Sequence, residues 1–199
     1  SNCIYITRHG ESQWNAEGKV QGVTDIPLNQ KGIEQAHALA KKIREEKIPV
    51  DMILHSPLCR AAETARIIAE ENGLPLVLEP RLIEQNFGEF EGHEWKNHPG
   101  VFYEAKKQFA CDHKGGESML RLAQRIYNLI DELKVRSKAE GKTFLFPGFG
   151  VGVGVLHEGV RQLVQVQAVL LQLAHDDAGV GRGLAHVVAG ALVAALHHV

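Results

Sequence analysis

Residues 3–7 form a short apolar and β-branched run that ends abruptly in Arg8-His9-Gly10, the pattern of a buried strand whose carboxyl end meets a loop. Over residues 32–47, Ile33, Ala36, Leu39, Ala40 and Ile43 recur at helical spacing, with Asn29 as a cap shortly before them, and this predicts an amphipathic helix. Residues 50–55 read as a second strand. Ser56-Pro57 then offers an N-cap followed by proline at the first helical position, so the next helix carries Arg60 in its first turn and stops near Gly73. Residues 76–78 make a third brief strand, leading to a loop with Glu84, Gly88 and Gly92. Residues 118–134 predict a long helix with Met119, Leu122, Ile126, Leu129, Ile130 and Leu133 on one face, and residues 143–146 the next strand. Strands alternating with helices of this length predict an α/β fold, a three-layer α/β/α sandwich around a mainly parallel sheet. Ligands bind beyond the carboxyl ends of such strands, and Arg8, His9 and Arg60 all fall there.

Composition narrows the partners. A chain of 199 residues with 44% hydrophobic residues is sized for one substantial core, so one domain over residues 1–199 is expected. A net charge of -2 gives no broad basic field for nucleic acid, and no polybasic run stands out to hold an anionic membrane. Anion binding must be local, which points to a small ligand. Cys3, Cys59 and Cys111 are odd in number and lack the close paired spacing of a zinc site or disulfide framework, so reduced thiols and a cytoplasmic location are expected. The first residues show no secretory signal pattern. Oligomeric state stays open, a homodimer being one option.

The strand-end residues suit phosphoryl chemistry. A phosphoryl group in transfer needs fixed cations around its equatorial oxygens and an in-line nucleophile. Arg8 and Arg60 offer planar forks that stay charged, and His9 offers an imidazole that can form a covalent phosphohistidine.

Several ordered motifs now carry a family resemblance. The run from Arg8-His9-Gly10-Glu11-Ser12 through Asn15, then Gln21-Gly22, Asp25-Ile26-Pro27-Leu28-Asn29 and Ser56-Pro57-Leu58-Cys59-Arg60-Ala61-Ala62-Glu63-Thr64-Ala65, resembles the histidine phosphatase superfamily, also called the phosphoglycerate mutase family. The resemblance covers residues 3–146, including Gly115-Gly116-Glu117-Ser118 before the long helix. It implies a phosphoglycerate mutase-like fold in which His9 is phosphorylated, Arg8, Asn15 and Arg60 hold the phosphoryl group, and Gln21 and Gly22 line the substrate side. The family's proton donor matches Glu84, with Glu89 and Glu91 as weaker candidates. A carboxylic acid is required there to protonate the departing alkoxide, and burial would help keep it protonated. The implied activity is metal-independent and cofactor-free hydrolysis of a small phosphomonoester. A phosphoglycerate mutase is the alternative, since in the family mutases go with a longer insertion after the Glu84 motif than residues 93–114 supply. His37, His93, His98 and His113 read as ordinary histidines, not metal ligands.

The pattern breaks after residue 146. Where the family has a second histidine stands Phe149, whose ring cannot donate to a phosphoryl oxygen; His157 is the nearest substitute, several residues downstream. From Phe144 onward the chain lacks Ile, Lys, Asn, Ser, Thr, Tyr, Trp, Met and Cys, so the part from about 147 is read as an atypical, misread or frame-shifted form of the family's last strands and helix. Phe149 also motivates a third reading, a phosphate-ligand binding protein that keeps the fold without turnover.

Overall fold

A computed structural model describes residues 3–97, 112, 115–148 and 167–171. Its centre is a parallel sheet of five strands, β1 (Cys3–Arg8), β2 (Met52–His55), β3 (Leu76–Leu78), β4 (Phe144–Gly148) and β5 (Gln167–Leu171), in the order β3-β2-β4-β1-β5. The helices are a single turn, α1 (Gln13–Ala16), then α2 (Gln30–Glu45), α3 (Cys59–Asn72) and α4 (Met119–Glu140). Among the described residues no helix is long and apolar enough to cross a membrane.

Strand alternation distributes the core between two layers. Ile4, Ile6, Leu54, Phe144 and Phe146 face α4, where Ile126, Leu129, Ile130 and Leu133 cover them together with Leu82. Ile53 and Leu145 face the other way, onto Leu39, Ala40 and Ile43 of α2 and Ala65, Ile68 and Ala69 of α3, with Tyr5 packed alongside. This is the three-layer α/β/α sandwich that the alternating pattern predicts. Pro147 is tolerated in β4 because the pairing with β2 ends at Leu145, so among the described residues the ring sits where one flank of the strand has no ladder to break.

Local differences from the sequence reading have local causes. The third helix begins at Cys59, not at Pro57, and its N-cap is Leu58, which makes no side-chain capping bond. Ser56 Oγ instead accepts from Leu58 N at 3.2 Å, closing a turn ahead of the helix. The first-turn donor left over, Cys59 N, goes to Asp25 Oδ1 at 2.7 Å, a cap supplied from a distant loop. α4 runs past Lys134 to Glu140 and stops at Gly141, which takes the left-handed conformation at φ 66. The composition after Phe144 gives β5 no clear strand pattern, yet it pairs with β1 along its whole length, Cys3 with Gln167 through Thr7 with Leu171.

Candidate active site

The site begins where β1 runs out. Gly10 passes the start of α2 so closely that a Cβ there would lie 2.3 Å from Gly32 O, and one on Gly32 would lie 2.1 Å from Glu11 O. Only glycine at both crossings lets the loop turn inward. The His9 ring is thereby buried, with 6% of its surface exposed. Its Nδ1 lies 2.7 Å from Gly10 O; a carbonyl only accepts, so Nδ1 carries the proton and Nε2 presents a lone pair. Burial first, then the Arg60 charge and in smaller part the Arg8 charge, lower its pKa from 6.5 to about 3, against the opposing pull of the Gly10 bond. The imidazole is therefore neutral around neutral pH.

Arg60, in the first turn of α3, is 1% exposed and reaches the same ring, with Nε 3.3 Å from His9 Nε2. Its Nη2 donates to Gly22 O at 2.6 Å and its Nη1 to Thr24 O at 3.0 Å, so one guanidinium shapes the loop opposite His9. The Gln21 carboxamide spans Ser12 and Arg60. In the orientation that satisfies both, its oxygen accepts from Arg60 Nε at 2.6 Å and Nη1 at 2.9 Å while its NH2 donates to Ser12 Oγ. One turn below Arg60, Thr64 Oγ1 donates to Arg60 O at 2.7 Å and accepts from Gly10 N at 2.9 Å, stapling the His9 loop to α3.

Arg8 contributes a different signal. Among the described residues its Nε is buried without a hydrogen-bond partner, an arrangement that costs free energy. Burial pushes its pKa down, against the attraction of Glu84. Asn15 Oδ1 accepts from Ser12 N and Ser12 Oγ, both at 3.0 Å, in the capping box of α1, which turns its NH2 into the group that can donate outward.

Glu84 is 4% exposed and accepts from Gln85 N at 2.9 Å, and its charge acts on both Arg8 and Arg60. The fold thus brings Arg8, His9, Arg60 and Glu84 to one place, with Gln21 and Gly22 on its flank. A Cβ on Gly22 would lie 2.3 Å from Gln85 O, so these two walls touch through backbone. The other two carboxylates separate cleanly. Glu89 is exposed, and Glu91 is occupied as a brace, accepting from Thr24 N at 2.7 Å, Thr24 Oγ1 at 2.5 Å and Phe87 N at 3.2 Å. Phe149 and His157 lie outside the described residues, as do His98, Cys111 and His113.

Ser12, Asp25 and Thr64 hold this site together and have no role in the sequence reading, while Glu91, there a weaker candidate for the acid, serves as a brace. Two had a usable signal: Ser12 and Asn15 have capping-box spacing, and Thr64 follows Arg60 by one helical turn. A buried, neutral imidazole whose Nε2 lies against the Arg60 guanidinium, with the Arg8 charge also acting on the ring, is suited to a group that is anionic and electrophilic at once.

The family described as histidine phosphatase superfamily (branch 1) matches residues 4–169, further than the motifs read from the sequence, and into β5. A relative from Yersinia pestis, "Probable phosphoglycerate mutase GpmB", is 36% identical over 161 residues, which is 77% of this chain and 72% of the relative. Among solved structures, Bacillus stearothermophilus YhfR is 30% identical with a TM-score of 0.67, covering 80% of this chain and 79% of its own. A mycobacterial glucosyl-3-phosphoglycerate phosphatase, solved with VO3, is 27% identical with a TM-score of 0.66, covering 79% and 81%. With the parallel sheet, the strand-end histidine and the matched span in agreement, the chain belongs to the histidine phosphatase superfamily, branch 1.

Proposed function

We propose that the protein is a phosphatase that hydrolyses a small phosphomonoester through a phosphohistidine on His9. The observation that carries this is the His9 ring itself: its proton is committed to Gly10 O, and its Nε2 lone pair faces the Arg60 guanidinium, both side chains being buried. The substrate phosphoryl group enters against the Arg60 and Arg8 guanidinium groups, which neutralise its oxygens, and the Asn15 NH2, which donates to them. In the first step Nε2 attacks phosphorus in line, the N–P bond forms, the ester O–P bond breaks, and Glu84 gives its proton to the departing alkoxide. In the second step Glu84, now a carboxylate, takes a proton from water as its oxygen attacks phosphorus. The N–P bond breaks, inorganic phosphate leaves, and His9 returns to its starting tautomer. The arginines supply the charge this chemistry needs, so no metal or cofactor is invoked.

A mutase reading has one specific support, the name of the Yersinia relatives, "Probable phosphoglycerate mutase GpmB". Incubation of purified protein with 3-phosphoglycerate and with a panel of phosphomonoesters, reading inorganic phosphate and 2-phosphoglycerate separately, tests the two. Phosphate release abolished by His9→Ala is the expected result, and isomerisation without phosphate release transfers the assignment to the mutase. Absence of both, with phosphate ligands still bound, would leave the non-catalytic reading.

A further inference from the structure

The backbone that carries Glu84 belongs to no strand. Between the short 3-10 turns Pro80–Leu82 and Gly88–Phe90 it runs irregularly, and buried irregular backbone must find partners for its carbonyls. Arg125 of α4 supplies them. Its Nη1 donates to Arg81 O at 2.7 Å and its Nη2 to Glu84 O at 3.2 Å, one grip at each end of the stretch 81–84. The same guanidinium is held from behind by Glu117, with Nε donating to Oε1 at 2.7 Å and Nη2 to Oε2 at 2.9 Å. Both side chains are largely buried, at 20% and 17% exposure. Glu117 adds two grips through its own backbone: its N donates to Asn86 O at 2.6 Å, and its O accepts from Gln85 Nε2 at 3.1 Å.

We infer that Arg125, locked by Glu117, is a positioning residue that holds the Glu84 carboxyl where it can protonate the leaving group. This rests on the reading of Glu84 as the acid. Arg125 reaches this stretch through the main-chain carbonyls of residues 81 and 84. Four acceptors around one plane match a guanidinium and not an ammonium, so lysine is a poor replacement. The acid step is sensitive to such placement, because protonation works only within hydrogen-bond reach of the departing oxygen.

The test compares wild type with Arg125→Gln, Arg125→Lys and Glu117→Gln on two substrates. One is an alkyl phosphate, whose alkoxide needs a proton; the other is 2,4-dinitrophenyl phosphate, whose phenolate leaves without one. Positioning predicts that kcat on the alkyl phosphate falls about 10²-fold in Arg125→Gln and about tenfold in Arg125→Lys, with less than about threefold change on the dinitrophenyl ester. Glu117→Gln keeps the shape of the lock and shows the same split at smaller size, which serves if Arg125→Gln does not fold. Equal losses on both substrates, or no loss on either, overturn the inference. The reading of the site fails separately, if wild type releases no phosphate or His9→Ala releases as much. Hydrogen exchange then decides the clamp: lower protection of the Leu82, Ile83 and Gln85 amides in Arg125→Gln, with α2 and α3 unchanged, supports it, and unchanged protection overturns it.

Discussion

Arg60 lies between His9 and the loop that faces it: its Nε is 3.3 Å from His9 Nε2, while Nη1 and Nη2 donate to the carbonyls of Thr24 and Gly22. One side chain therefore sets the charge next to the nucleophile and the shape of the opposite wall. A lysine supplies a single point charge and leaves carbonyls without donors. Arg60→Lys is expected to lower kcat/KM by about 10² or more and to cost about 1–3 kcal/mol of stability. Steady-state kinetics and urea unfolding check both numbers, and a variant that keeps its rate would separate Arg60 from the chemistry.

The crossing of Gly10 and Gly32 predicts a reversal of the usual helix rule. Alanine is the better helix former by about 1 kcal/mol. At Gly32, near the start of α2, its Cβ would meet Glu11 O at 2.1 Å, and that atom is backbone with little room to move. Overpacking costs about 1–3 kcal/mol, so Gly32→Ala is expected to destabilise despite the helical gain. Thermal or urea unfolding reads the sign. A more stable Gly32→Ala protein would show that the loop carrying His9 is not held against α2.

His9 also links stability to pH. Its folded pKa of about 3 lies below its ordinary 6.5, so between those values the unfolded chain binds a proton that the native state refuses. Its contribution is complete above pH 6.5 and is lost as pH falls toward the folded value. Between about pH 7.5 and about pH 5 the loss assigned to His9 is roughly 2 kcal/mol. His9→Gln lacks it, so urea unfolding at the two pH values should show a smaller fall in the variant than in wild type. Equal falls would mean that the imidazole titrates as though exposed.

The three carboxylates of the Glu84 region should answer differently to the same substitution. Glu84→Gln removes the proposed proton donor and is expected to cut kcat on an alkyl phosphate by about 10²-fold or more. Glu91→Gln loosens the bonds to Thr24 and Phe87, which shape the substrate loop, and should raise KM more than it lowers kcat. Glu89→Gln, at an exposed position, should leave both constants near wild type. A kcat loss confined to Glu89→Gln or Glu91→Gln would move the acid away from Glu84.

The strand-end placement of Arg8, His9 and Arg60 was legible because short apolar runs and amphipathic periods are local patterns, and the parallel sheet follows from their alternation. The supports of the site were not. Asp25 caps α3 from 34 positions away, Thr64 bonds Gly10 across 54, and Arg125 reaches Glu84 across 41, and no local pattern encodes such pairs. The start of α3 was misplaced because Ser56-Pro57 mimics a cap, while Ser56 Oγ closes a tighter turn onto Leu58 N. β5 went unread because the Gly-, Val- and Ala-rich composition around it masks the strand signal, although its register with β1 is complete.

The central claim, that the Nε2 lone pair of His9 takes the phosphoryl group, is tested most directly by rapid acid-free quenching of the protein with a 32P-labelled phosphomonoester. The account predicts a label that is stable in base, lost in acid, mapped to the peptide containing His9 and absent in His9→Ala. Turnover without any such label, or a label that persists in His9→Ala, would contradict it.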